Sequence, residues 1–187
     1  MPGRDGWLPA ARHLPSPNHD ARPQGEAVSL LVVHGISLPP GEFGGDAIER
    51  LFCNTLDVSQ HPWFEQLRDL RVSAHLLIRR DGELVQFVSL LDRAWHAGRS
   101  IFDGRTECND FGIGIELEGT DETPYTDAQY DCLVPLAKGL IRAFPAVTPQ
   151  RIVGHSDIAP ERKTDPGRAF DWRRFRNGIG QMVEESG

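Results

Sequence analysis

The segment HSDIAPERKTDPG, residues 155–167, packs an imidazole, a lysine and a carboxylate into one proline-broken stretch. His155 and Asp165 lie ten positions apart with Pro160 between them, so one helix face cannot carry both, whereas a folded-back loop can. Taken with His34 they offer two imidazoles and a carboxylate, ordinary zinc ligands that leave a fourth position for water. The same residues admit a plainer reading. Thr-Asp-Pro-Gly is good turn chemistry in which Asp165 caps its own loop, and Lys163 can simply be solvated. In a metal loop, the Lys163 cation would instead stabilise the negative oxygen of a tetrahedral intermediate. The set is no compact motif such as HExxH, and with seven histidines in the chain any single one is more often structural than ligating.

What distinguishes His34 and His155 is the elements that must carry them. Val28 to Val33 is an apolar, valine-rich run too short for a confident helix; it predicts a central strand buried on both faces and delivering His34 at its end. GISLPPGEFGG then breaks regular structure, and a short helix is expected from Asp46 to Asn54. A short strand at Ile152-Val153 would carry His155. Each histidine thus follows an apolar strand and opens a Gly/Pro-rich loop, the place where open α/β sheets put their ligands.

Val72–Ile78 and Glu83–Val88 flank an Asp-Gly turn and predict a hairpin. Leu91 to Asp110 has neither periodicity and reads as a long functional loop. Gly112 to Gly119 alternates: Ile113, Ile115 and Leu117 face a core, while Gly112, Gly114, Glu116 and Glu118 line a face expected to be open and acidic. Thr126 to Phe144 is the clearest helix, opened by a capping box of Thr126 and Gln129, buried along Tyr130, Leu133, Val134, Ala137, Leu140, Ile141 and Phe144, and expected to bend at Pro135. A last helix starts near Asp171. The order predicts an α/β (α+β) fold with a mixed sheet flanked by helices. It forms a single domain over 1–187, with a core at about 7–176 and a tail after about 180.

Glu116 is the sharper carboxylate candidate for a general base, because it sits on a glycine-cleared strand face. Glu118 shares that face, and one of the two is expected to be held by arginines instead. Trp95-His96 reads either as a core aromatic beside a surface histidine or as an indole platform for sugar or peptide. Arg71 is either a surface cation or a bidentate clamp on a substrate carboxylate.

Composition sets the outer limits. A chain of 187 residues fits one domain able to bury a core without staples, and 39% hydrophobic with 25% charged residues is ordinary for a globular protein. A formal net charge of −7 argues against nucleic acid as the partner, despite the local pairs Arg79-Arg80, Arg162-Lys163 and Arg173-Arg174. Cys53, Cys108 and Cys132 are scattered, form no CxxC and read as free thiols. The first twenty residues lack the apolar run of ~7–15 residues of a signal peptide, and no stretch approaches ~18 apolar residues, so a cytoplasmic protein with no membrane partner is expected.

VVHGISLPPGEFGG, RVSAHLLIRRDGELVQF, RAWHAG, CNDFGIGIELEGTD, YTDAQY and GHSDIAPERKTDPG, in order from Trp7 to about Phe175, together resemble the zinc-dependent N-acetylmuramoyl-L-alanine amidases and their relatives the peptidoglycan recognition proteins. Within that family the likeness is to bacterial cytosolic enzymes acting on 1,6-anhydro-N-acetylmuramyl peptides in cell-wall recycling. The resemblance implies one zinc ion held by His34, His155 and Asp165, with Glu116 and Lys163 assisting catalysis. It further implies contacts from Trp95 to the sugar and from Arg71 to the peptide carboxylate, and an anhydromuropeptide substrate; a monomer is expected. A binding module without turnover, or an amidase of intact peptidoglycan, are the alternatives. Three positions depart from the family pattern: Gly35 for the usual Asn, Ser156 for a common Cys, and Glu107 where some members have Arg.

Overall fold

A run of valine and leucine without polar alternation is stable as a strand only if both faces are covered. Leu30, Leu31, Val32 and Val33 meet that condition, each 0% exposed, and burying each contributes roughly 1.5–3 kcal/mol. The structure is a computed structural model and describes residues 1–180; the tail expected after about residue 180 lies outside the described residues.

In chain order the elements are β1 (Arg12–His13), β2 (His19–Ala21), β3 (Leu30–Ile36), α1 (Ala47–Phe52), β4 (Leu76–Ile78), β5 (Leu84–Gln86), β6 (Asp92–Ala94), β7 (Ile101–Phe102), β8 (Arg105–Thr106), β9 (Gly112–Glu118), α2 (Asp127–Ala143), β10 (Ile152–Gly154), α3 (His155–Ile158) and α4 (Trp172–Gly180). Six strands form one mixed sheet in the order β1-β5-β4-β9-β3-β10, in which β4–β5 is antiparallel and the other pairs are parallel. One face packs on α2 and α4 through Leu31, Val33, Ile113, Ile115 and Leu117. The other is covered by α1 against Leu77 and Val85, and by Phe111, Ala97 and Ile158 against Leu30 and Val32.

The expected elements are present, with three corrections. Leu91–Asp110 is not structureless: β6 pairs with β2, β7 with β8, and Cys108–Asp110 is a 3-10 turn. Its carbonyls find partners in the amino-terminal segment, such as Arg22 reaching those of Asn109 and Asp110, which local periodicity does not register. Second, the Gly112–Glu118 strand has no open face; all seven residues are buried, because the loop before it folds back over the glycines. Third, His155 is not in irregular chain but begins a helical turn, α3, where Asp157 Oδ2 accepts from Gly154 N–H at 2.7 Å.

The capping box forms as expected: Thr126 Oγ1 accepts from Gln129 N–H at 3.2 Å and Gln129 Oε1 from Thr126 N–H at 3.0 Å. Gln129 does more than cap, since its Nε2 donates to the carbonyls of Glu118 and Ile78 at 2.9 and 3.2 Å and so ties α2 to the ends of β9 and β4. It is 0% exposed. Gln129→Met preserves volume but strands several buried polar groups, and a loss of about 2–3 kcal/mol is expected. Urea unfolding checks this; a midpoint equal to wild type would show that the tie contributes nothing.

Candidate metal centre and active-site cleft

Strand register brings the chemistry together. His34 lies opposite Glu116 in the β3–β9 pair, and Gly154 opposite Val33 in the β10–β3 pair, so His155, the residue after β10, arrives beside His34. All three strands are parallel, and this is their carboxyl end. Asp165 returns on the loop after α3. Its carbonyl accepts from Ser156 N–H at 3.0 Å, its Oδ2 lies 3.4 Å from Gly35 N–H, and the next carbonyl, Pro166, accepts from the Tyr125 hydroxyl at 2.9 Å. A Cβ at residue 35 would stand 2.4 Å from that hydroxyl, so glycine there leaves room for the tyrosine that anchors the loop.

Three atoms converge: His34 Nδ1 and His155 Nδ1 are 2.9 Å apart, and Asp165 Oδ2 is 3.1 Å from His155 Nδ1 and 3.3 Å from His34 Nδ1. Ligands about 2.0–2.1 Å from a tetrahedral zinc stand roughly 3.3 Å from one another, close to this spacing. The donor chemistry also fits. His155 Nε2 faces the Ala97 carbonyl at 3.1 Å, which can only accept, so Nε2 holds a proton and the Nδ1 lone pair is available to the cluster. Burial, opposed by Asp165, lowers the His34 pKa to about 4, which leaves the ring neutral near pH 7. Burial pushes the Asp165 carboxyl up, but its close contacts with His155 and His34 outweigh it and hold the group well below the usual carboxylate range. A neutral His34 beside an ionised Asp165 is the pairing of protonation states a divalent ion requires. These three residues can therefore hold a metal ion.

They form the floor of a cavity of about 680 Å³ that Glu116, Lys163, Trp95 and Arg71 also line. Glu116 is 9% exposed and its Oε2 is a buried atom with no partner among the described residues. Burial and the Asp165 charge raise its pKa well above that of an ordinary glutamate, with Lys163 acting in the opposite direction. Lys163 lines the cavity and forms no ion pair among the described residues. Glu118 takes the structural alternative: its carboxylate accepts from Gly44 N–H at 2.6 Å and Arg80 N–H at 3.1 Å, with Arg79 at 3.9 Å.

Trp95 is a half-buried wall whose Nε1 has no acceptor among the described residues. Arg71 is exposed on the rim, one nitrogen held by the carbonyls of Leu70 and Arg68. Glu107 is exposed, 3.7 Å from Arg93, and is not among the cavity-lining residues. The surface position weighed for His96 does not hold; it is 9% exposed and packed under the site. Asn109 was not singled out by sequence, yet its Oδ1 accepts from the N–H groups of Ala97 and His96 at 2.8 and 3.1 Å and fixes the segment behind the histidines. The signal available for His96 was the pair Gly112 and Gly114, whose missing side chains make room for a ring; no local signal marks Asn109.

A mixed sheet flanked by helices, with a His-His-Asp group and an unpartnered carboxylate at the carboxyl ends of its parallel strands, is an arrangement suited to a metal-assisted hydrolase. The family model described as N-acetylmuramoyl-L-alanine amidase matches residues 24–168, and the chain belongs to that family. It is 63% identical over 171 residues to the 1,6-anhydro-N-acetylmuramyl-L-alanine amidase AmpD of Enterobacter cloacae, covering 91% of each chain. A crystal structure of a selenomethionine AmpD derivative superimposes with a TM-score of 0.92 at 58% identity, over 96% of this chain and 99% of that one. The amidase AmiD from E. coli, in complex with the substrate anhydro-N-acetylmuramic acid-L-Ala-D-gamma-Glu-L-Lys, matches with a TM-score of 0.59 at 30% identity, over 84% of this chain and 60% of that one.

Proposed function

We propose that this chain is a zinc-dependent amidase that hydrolyses the bond between the lactyl group of 1,6-anhydro-N-acetylmuramic acid and L-alanine in anhydromuropeptides, in bacterial peptidoglycan recycling. The observation that carries this reading is the convergence of His34, His155 and Asp165 beneath Glu116 in one cavity. The relatives named for that activity, and the substrate complex of AmiD, support it.

One zinc per chain, held by the three ligands, supplies Lewis acidity that polarises a carbonyl and acidifies water. The Glu116 carboxylate takes a proton from the attacking water and passes it to the nitrogen of the leaving L-alanine, so that the C–N bond breaks to a carboxylic acid and a free amine. Lys163 sets its positive charge against the oxyanion that forms on the carbonyl. The Trp95 side chain in the cavity wall suits a sugar, and Arg71 on the rim suits a peptide carboxylate. Three free cysteines are compatible with the cytoplasm. Among the described residues no helix is long and apolar enough to cross a membrane.

Incubating the zinc-loaded protein with anhydro-N-acetylmuramyl tripeptide and analysing products by mass spectrometry tests the reading. The expected products are anhydro-N-acetylmuramic acid and a tripeptide with a free L-alanine amine, together heavier than substrate by one water. Intact substrate that nonetheless stays bound would identify a binding module, and release from polymeric peptidoglycan alone would move the substrate to the intact wall.

A further inference from the structure

The two histidines of the candidate metal centre are held from behind by consecutive residues of one loop. His155 Nε2 meets the Ala97 carbonyl at 3.1 Å, and His34 Nε2 meets His96 Nδ1 at 2.9 Å. A carbonyl can only accept, whereas an imidazole nitrogen can accept or donate, so the second contact orients the His34 ring only if His96 is itself held in place, and which nitrogen carries the shared proton is part of the inference. Three features hold it. Its backbone N–H and that of Ala97 both donate to Asn109 Oδ1. Its ring lies in the notch left by Gly114, where an added Cβ would stand 2.4 Å from His96 Cγ. The ring of His75, 5.7 Å away between centroids, closes another side, and its Nδ1 accepts from Gly114 N–H at 3.0 Å, which ties the notch to the same cluster.

We infer that His96 is a positioning residue: its Nδ1 accepts the Nε2 proton of His34 and thereby keeps the Nδ1 lone pair of His34 aimed at His155 and Asp165. The inference rests on the metal-centre reading above. The ring of His96 makes no other polar contact among the described residues, since its Nε2 is buried without a partner. Replacing it therefore removes one hydrogen bond and little else that is polar. Partners behind a ligating histidine fix its tautomer, and losing one weakens metal binding by about 10–100-fold.

The test measures zinc affinity by chelator competition in wild type, His96→Leu, His96→Phe, His96→Asn and His34→Ala, with folding checked by circular dichroism. Long-range proton–nitrogen NMR of the metal-free protein reads which ring nitrogen of His34 carries the proton. His96→Leu and His96→Phe are expected to bind zinc about 10–100-fold more weakly. His96→Asn, which restores an acceptor oxygen near the Nδ1 position, is expected to recover most of that loss, a rescue that a purely packing role would not produce. Wild-type His34 is expected to be protonated at Nε2; finding the proton at Nδ1 overturns the inference whether or not the variants fold. A folded His96→Leu protein with wild-type zinc affinity also overturns it, provided His34→Ala loses zinc. If His34→Ala keeps zinc, the metal-centre assignment itself fails and the positioning role falls with it.

Discussion

Glu116→Gln is expected to bind zinc as wild type does and to lose on the order of 10²–10⁴ in kcat. Glutamine has nearly the shape of glutamate, so it fills the same place opposite His34 and disturbs neither register nor packing. It cannot accept and later return a proton, which is the step assigned to this side chain. The separation from metal binding follows from geometry: the atoms that converge belong to His34, His155 and Asp165, while Glu116 Oε2 stands buried and unpartnered at the cavity wall. An unpartnered buried carboxylate costs stability, because desolvation and the neighbouring Asp165 charge both disfavour its ionised form. A fold that carries such a group next to a cavity gains from it in chemistry. Zinc content by atomic spectroscopy and steady-state kinetics check the prediction; a Gln variant within tenfold of wild-type turnover would refute the base assignment.

His155→Ala is expected to lose zinc and, with it, activity. Apparent zinc affinities of about 10–16 kcal/mol in structural sites with four protein ligands come to roughly 2.5–4 kcal/mol per ligand, so deleting one weakens binding by about 10²–10³-fold. The carboxylate of Asp165 would also lose one of the two imidazole contacts that hold it ionised. Two readouts apply. Dialysed protein should contain little zinc, and its Tm should no longer rise with added zinc, whereas the wild-type Tm should, because a ligand that binds only the folded state stabilises it by mass action. Full zinc retention would remove His155 from the ligand set.

Much of the frame was legible from residue order. The apolar run before His34 could only be a covered strand, and Leu30 to Val33 are fully buried. Thr126 and Gln129 marked the start of α2, and Asp171 marks that of α4, where its Oδ1 accepts from Arg174 N–H at 2.8 Å. Less legible were elements whose partners are remote in sequence. β1 and β2 are two and three residues long, exposed, and exist because β5 and β6 lie beside them. The glycines of β9 clear space, as their types imply, but that space is already taken, since the ring that fills it belongs to a loop whose path no local period describes.

Residue types and their family pattern determined by themselves the chemistry on offer: two imidazoles, a carboxylate, a candidate base and a cation, each placed at a strand end or in a loop. Tertiary structure decided which of them meet. Parallel pairing of β3 with β9 and β10 aligns His34, Glu116 and His155, residues up to 121 positions apart, through backbone hydrogen bonds that are blind to side-chain identity. It also separated Glu116 from Glu118, which share one strand face: the backbone N–H groups of Gly44 and Arg80 reach Glu118, and nothing among the described residues reaches Glu116 Oε2. Spacing along the chain encodes the face of a strand, but the presence of a partner across space depends on how distant segments fold over it.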